Sequence, residues 1–261
     1  MKKTLLFAAL FLGIFLTSYT TLSLKPSRVR RVIIDAGHGG KDPGTRGKKT
    51  IEKQLALEIA YGAGALIKTH LKDVDIIYTR TSDEFVELRE RARKANKEAG
   101  DMFISVHCNA SLSPEMSGTE TYIMGLGASE DNLDVAKREN SSILQEANYK
   151  DKYEGFDPNN AATHILFMNY QNAYHYNSAR MAQKVEDRFK FKLLRTSRGV
   201  KQNNFVVLWK TAMPSVLIEV GFLTNPTEES FLGGNSGKAH ISDEIYKAFR
   251  DYKNEIEKKE R

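Results

Sequence analysis

The sequence predicts an α/β domain built on a central sheet, and three observations carry that expectation. Val32-Ile33-Ile34 is a brief β-branched apolar run of the kind found in a strand buried on both faces. Leu55, Ile59, Ala63, Leu66 and Ile67 recur at spacings of three and four, which lays one apolar helical stripe against a sheet. Strand-like and helix-like segments then alternate along the chain, as they do in α/β proteins.

The elements follow in order. A strand over residues 32–36 leads into a glycine-rich loop from Gly37 to Gly47, and Glu52 opens the first helix. Residues 74–79 read as the next strand, and Ser82-Asp83 as the cap of a charged helix running to about Ala99. Strands over 102–106 and 118–124 come next. The rhythm then breaks: residues 125–172 contain a helix-like piece at 129–147 and a polar loop around Asp157-Pro158-Asn159-Asn160, which marks an insertion or a functional loop system. A helix over 173–189 restores the alternation, followed by strands at 205–208 and 215–220. Asn225-Pro226-Thr227-Glu228 signals a helix start, and a loop around Gly233 to Gly237 leads to a terminal helix from about Ser242.

The chain ends of this pattern carry their own information. Lys2 and Lys3 precede an apolar run over residues 5–16 and a small polar stretch, Thr17, Ser18, Thr20 and Thr21, which is the order of a signal peptide. A membrane span needs roughly 20 apolar residues. Residues 1–24 are therefore expected to be a removed export signal rather than a stable membrane anchor, with the mature domain over 25–261. The single cysteine, Cys108, excludes an internal disulfide and a lipid-attachment cysteine behind the signal. The formal charge of +6 falls to +4 without Lys2 and Lys3, and the remaining basic residues are interspersed with acids, which favours an acidic surface or substrate. Nucleic acid is not an expected partner, because no binding motif or aromatic-basic stripe is present. A monomer is expected.

Two histidines stand where α/β sheets bind ligands. His38 closely follows the strand 32–36 and His107 follows the strand 102–106, so both imidazoles sit at the carboxyl ends of strands. The glycine loop can fold Glu52, fourteen residues past His38, back beside it. Two imidazoles and a carboxylate suit zinc, and three protein ligands leave a fourth position for water. Glu219 lies in the apolar run Val216-Leu217-Ile218-Glu219-Val220, where a charge is costly without a partner or a metal site. Cys108 should face away from His107 and pack, and His70, His164, His175 and His240 have no ligand-like context.

With these pieces assembled, the chain resembles the zinc-dependent N-acetylmuramoyl-L-alanine amidases of the type 3 amidase family. The likeness runs in order through Asp35-Ala36-Gly37-His38-Gly39-Gly40, Glu52-Lys53-Gln54-Leu55-Ala56-Leu57, Thr79-Arg80-Thr81, the helix with Leu88, Arg91 and Ala95-Asn96, Ser105-Val106-His107-Cys108-Asn109-Ala110, and Glu219-Val220-Gly221-Phe222-Leu223-Thr224-Asn225. Ala36 stands where many members have proline, and Cys108 where many have alanine. The resemblance implies a mostly parallel six-stranded sheet flanked by helices, and an amidase catalytic domain over 25–261. It implies one zinc held by His38, Glu52 and His107, with Glu219 as the catalytic acid/base. The implied substrate is peptidoglycan, cut between N-acetylmuramic acid and L-alanine during septal wall splitting, in a periplasmic setting.

Some members of that family carry, where residues 125–172 fall, a helix that blocks the zinc until an activator protein displaces it. Leu133, Ala136, Asn140, Ile143 and Leu144 form a helical stripe here with Glu139 on its flank, so Glu139 is the candidate zinc plug and Glu130 and Glu146 are rival acids. The bland reading makes the segment a groove rim and Glu139 a solvated charge. Two other functional classes compete: a degenerate module that only binds peptidoglycan, and another zinc peptidase or deacetylase acting on wall fragments. No wall-binding repeat accompanies the domain, which leaves targeting to a partner or to the domain's own surface.

Overall fold

The computed structural model describes residues 28–125, 130–160, 162–164 and 174–258. The expected signal segment, 1–24, lies outside these residues. The strands are β1 (Arg31–Ala36), β2 (Asp75–Tyr78), β3 (Met102–Asn109), β4 (Thr119–Met124), β5 (Ser197–Asn203) and β6 (Ser215–Phe222). They form one six-stranded sheet in the order β2-β1-β3-β6-β4-β5. β1 pairs in parallel with β2 and β3, β3 with β6, and β4 with β5, while β4 runs antiparallel to β6. The mostly parallel sheet is thus as expected.

Strand alternation sorts the side chains into two cores. Met102, Ile104, Val106 and Cys108 of β3, with Val216, Ile218 and Val220 of β6, join one cluster. There they meet Leu55 and Ile59 of α1 (Glu52–His70), Val185 and Phe189 of α5 (His175–Lys192), and Ile245 and Phe249 of α8 (Asn235–Lys258). Phe103 and Leu217 point the other way, onto Leu88 and Ala95 of α2 (Leu88–Lys97). The inserted segment covers that second face. It contributes Val135 and Ala136 from α3 (Glu130–Asn140), Ile143 from a 3-10 turn (Ser141–Gln145), and Tyr153 just past α4 (Tyr149–Lys152). Each buried valine, leucine, isoleucine, methionine or phenylalanine among them contributes about 1.5–3 kcal/mol of burial.

Several elements differ from expectation for physical reasons. Residues 205–208 are not a strand. Phe205 is extended, and α6 (Val206–Trp209) follows it, because a short apolar run reads the same for a buried strand and a buried helix. The strand of that region is β5, whose sequence Ser-Arg-Gly-Val-Lys-Gln-Asn is polar because it lies at the sheet edge and is mostly half-exposed. The charged helix starts at Leu88 rather than near Asp83. Asp83 instead accepts from the Gly40 amide and pairs with Lys53. β3 continues to Asn109 and β6 to Phe222, so His107 and Glu219 stand inside strands rather than at their ends. The terminal helix starts at Asn235, earlier than Ser242. Before it, α7 (Pro226–Gly233) opens as expected: the Asn225 side chain accepts from the Thr227 and Glu228 amides.

Candidate metal centre

The centre is assembled on the loop that leaves β1. Gly37 donates to the Val106 carbonyl, and a Cβ on Gly37 would lie 2.4–2.7 Å from three atoms of the His107 ring, so only glycine lets that ring lie over the backbone. His38 then adopts a left-handed φ of 58°, uncommon for a non-glycine residue. Two buried arginines hold this turn. Arg91 donates to Ala36 O (2.7 Å) and His38 O (2.8 Å), and Arg80 to Ala36 O (3.0 Å) and Gly37 O (2.8 Å). Arg91 is itself anchored on Asp35 at 2.9 Å, and Asp35 also accepts from Ser105 and Thr79. Burial opposes the charge on Asp35, yet Arg91 and the two hydroxyls hold its carboxyl below the usual range.

Glu52, the first residue of α1, is fully buried. Its Oε1 accepts from the Cys108 amide (2.8 Å) and its Oε2 from the Thr45 amide (2.7 Å). Gly44, at φ 65°, makes room for it, since a Cβ there would approach Glu52 Oε2 to 2.5 Å and His38 to 2.6 Å. The glycine loop therefore does fold Glu52 back against His38.

Four donor atoms converge. His38 Nε2 lies 3.1 Å from Glu52 Oε1 and 3.1 Å from Glu139 Oε2, and His107 Nδ1 lies 3.1 and 2.9 Å from the same two oxygens. All four residues are buried, with donors within 4.8 Å of one another. Tetrahedral zinc bonds of about 2.0–2.2 Å place neighbouring donors about 3.3–3.6 Å apart, so the set fits such an ion. Direction agrees with distance: His38 Nε2 and Glu139 Oε2 are buried without a hydrogen-bond partner, aimed at a shared centre rather than at each other. His38 Nδ1 meets Asp42 Oδ2 at 2.9 Å, the outer contact that orients a ligating imidazole.

The charges follow from this crowding. Burial opposes a proton on His107, but Glu139 and Glu52 hold its pKa up to about 10, and Glu52 with Asp42 and Glu139 raises that of His38. Burial works against ionised Glu52 too, and His38 outweighs it, bringing its pKa to about 2. Glu219 pairs in register with His107 across β3 and β6. Both of its carboxylate oxygens are buried without partners. Burial first, then the Glu139 and Glu52 carboxylates, push its pKa well above the ordinary range.

Glu139 is only 4% exposed, which removes the solvated-charge reading. Glu146 is buried elsewhere, accepting from the Leu88 amide and the Tyr153 hydroxyl, and the side chain of Glu130 lies outside the described residues. The space beside the cluster amounts to about 10 Å³, room for one water-sized body and not for a peptide. Cys108 packs in the opposite core. His70 stacks on Tyr246, His164 and His175 meet backbone carbonyls, and His240 is exposed. Two further residues that brace the centre, Asp42 and Arg138, were not singled out by the sequence. Arg138 donates to Asn109 Oδ1 at 2.6 Å and to Ala110 O at 3.3 Å. The histidine four residues before Asp42 was its only available signal.

A parallel-sheet α/β domain with a buried His/Glu donor set at the sheet's carboxyl edge defines a metallohydrolase-like class. The pattern of the N-acetylmuramoyl-L-alanine amidase family, Amidase_3, matches residues 32–251, and the chain belongs to that family. It is 29% identical over 232 residues to the amidase AmiA of Salmonella typhimurium, covering 87% of this chain and 78% of that one. The crystal structure of an N-acetylmuramoyl-L-alanine amidase from Clostridium difficile 630 superposes with a TM-score of 0.65 at 27% identity, covering 87% of this chain and 98% of that one. The CwlD amidase from Clostridioides difficile, solved in complex with the GerS lipoprotein, shares the fold at 22% identity and a TM-score of 0.61, covering 85% of this chain and 98% of its own.

Proposed function

We propose that the protein is a zinc-dependent amidase that hydrolyses the bond between N-acetylmuramic acid and L-alanine in peptidoglycan. His38, Glu52 and His107 would hold the metal, and Glu219 moves the protons. The observation that carries this reading is the convergence of the four donor atoms beside a buried carboxyl whose oxygens have no partner. A bound zinc supplies Lewis acidity to the scissile carbonyl and lowers the pKa of water. Glu219 takes a proton from the attacking water and returns it to the departing L-alanine nitrogen, because an amide nitrogen leaves poorly unless protonated. Its raised pKa favours the acid half of that cycle. Asp42 keeps Nε2 of His38 turned inward, and Arg80 and Arg91 fix the backbone behind it.

The reading extends to regulation. Glu139 fills the fourth donor position, and its helix leaves no room for a stem peptide, so the inserted segment holds the enzyme in a resting state. A partner protein that withdraws it would open the site to septal wall. Export through the segment 1–24 to the periplasm belongs to the same reading; among the described residues no helix is long and apolar enough to cross a membrane. Two measurements on the purified chain test these roles. Metal analysis should find one zinc per chain, retained in Glu139→Ala and lost in His38→Ala, and Glu139→Ala should hydrolyse purified wall at least several-fold faster than wild type. A metal-free wild type, or unchanged hydrolysis by Glu139→Ala, would overturn the ligand set or the plug respectively.

A further inference from the structure

Beside the metal centre, on the same sheet face, a cleft of about 270 Å³ opens between the ends of β3 and β6, strand β4, the edge strand β5, and the inserted helix α3. Its polar lining includes Asn109, Glu120, Arg138, Arg198 and Lys201, with Phe222 as an apolar wall. Glu120 is only 3% exposed and organises this lining. Its Oε1 accepts from Arg198 Nε at 2.8 Å and from Lys201 Nζ at 2.7 Å, and its Oε2 from the Tyr122 hydroxyl at 2.6 Å and Asn109 Nδ2 at 3.0 Å.

One carboxylate thus faces two cations, which leaves a surplus positive charge at the cleft. Asp134, the other acid on the rim, is 78% exposed in its side chain and lies 4.0 Å from Lys137. Arg198 uses only Nε on Glu120, so among the described residues the outer nitrogens of its guanidinium fork have no hydrogen-bond partner. Both cations sit on the edge strand β5 and would swing freely in solvent, but Glu120 fixes them in place beforehand, which lowers the entropy lost on binding an anion. A guanidinium fork held in this way matches the two oxygens of a carboxylate.

We infer that this cleft binds a free carboxylate of the stem peptide, on the half of the substrate that departs, and that Arg198 and Lys201 determine that specificity. The inference rests on the amidase reading of the metal centre. Asn109 follows His107 by two residues along β3, about 6–7 Å at strand rise. In a muramoyl dipeptide the terminal carboxylate of the residue after L-alanine lies about as far from the scissile nitrogen, since successive Cα atoms are about 3.8 Å apart. A substrate whose amide sits at the cluster therefore reaches the cleft with its second residue. Arg138 of the seated helix now lies across that path on Asn109 and Ala110, so withdrawal of the helix joins cleft and cluster into one groove.

The test compares two synthetic muramoyl peptides that differ only at the second stem residue, one with a free α-carboxylate and one with a carboxamide there. Wild type should prefer the carboxylate in kcat/KM by about ten-fold, the scale of one charge-assisted pair. Arg198→Ala and, independently, Lys201→Gln should bring that ratio toward one, mainly through KM. An equal wild-type rate on both substrates, or a ratio unmoved by either variant, overturns the inference. Calorimetric titration with the released dipeptide in acid and amide forms separates the two readings. If Glu139→Ala, in which the plug is removed, cleaves neither substrate while wild type binds the acid form through Arg198, the amidase reading falls and the carboxylate site stands. Cleavage of both, with no difference in binding, leaves the amidase and removes the site.

Discussion

At the residue scale, the centre depends on groups that counter one another's charge. His38 and His107 are held protonated near neutral pH by Glu52, Glu139 and Asp42, with His107 at about 10. A metal ligand is a neutral imidazole, so zinc uptake expels protons and the affinity should climb as pH rises from 6 to 8.5. Competition against a chelating dye at several pH values measures this, and a flat profile would contradict it. In the metal-free chain the sign is opposite. The raised histidine pKa values contribute stability that is fully present below about 6.5 and fades as pH climbs toward about 10. Behind the cluster, Arg91→Ala would strand the buried Asp35 charge at a cost of about 3–5 kcal/mol. Asp35→Asn in the same chain should recover part of that loss in denaturant titrations.

His38, Glu52, His107 and Glu219 were legible in the sequence because a charged or metal-binding side chain beside an apolar strand is locally conspicuous. Asp42 and Arg138 were not, since their meaning comes from contacts made in space, Asp42 with Ser142 and Arg138 with Asn109, about a hundred and about thirty residues away.

At the element scale, the inserted segment is seated by a small number of specific bonds. Asn140 donates to Asn204 O and accepts from the Val206 amide, both at 2.8 Å, and Ser142 donates to Asp42 at 2.7 Å. Asn140→Ala should cost the seat about 1–3 kcal/mol, because it leaves a buried carbonyl and amide unsatisfied. The outcome expected is faster proteolytic nicking within 130–160 and faster basal wall hydrolysis, with the main unfolding transition little changed. Global unfolding at much lower temperature would show instead that the segment belongs to the core. The helix-like stripe announced this element: Ala136, Asn140 and Ile143 are buried as it required, whereas the α-helix ends at Asn140 and Leu144, beyond it in the 3-10 turn, is exposed. The exchange of β5 for a strand at 205–208 was not foreseeable from pattern: an edge strand needs no apolar alternation, and Phe-Val-Val-Leu satisfies a helix turn as well as a strand.

At the scale of the whole molecule, alternation of strand and helix was enough to predict the central sheet, whereas the reversal of β4 and β5 relative to β6 is set by long-range pairing that no local pattern records. That reversal matters to function. It carries Glu120, Arg198 and Lys201 to the same edge as His107 and Glu219, so one rim bears both the cluster and the cleft beside it.

In the proposed reaction this rim cuts the muramoyl amide with a metal and Glu219. Mass spectrometry of purified peptidoglycan after digestion by wild type, Glu139→Ala, Glu219→Ala and a chelated sample tests it most directly. Stem peptides with a free L-alanine amino terminus should appear from the first two, more from Glu139→Ala, and none from the last two. Fragments cut within the peptide or the glycan, or undiminished release by Glu219→Ala, would contradict it.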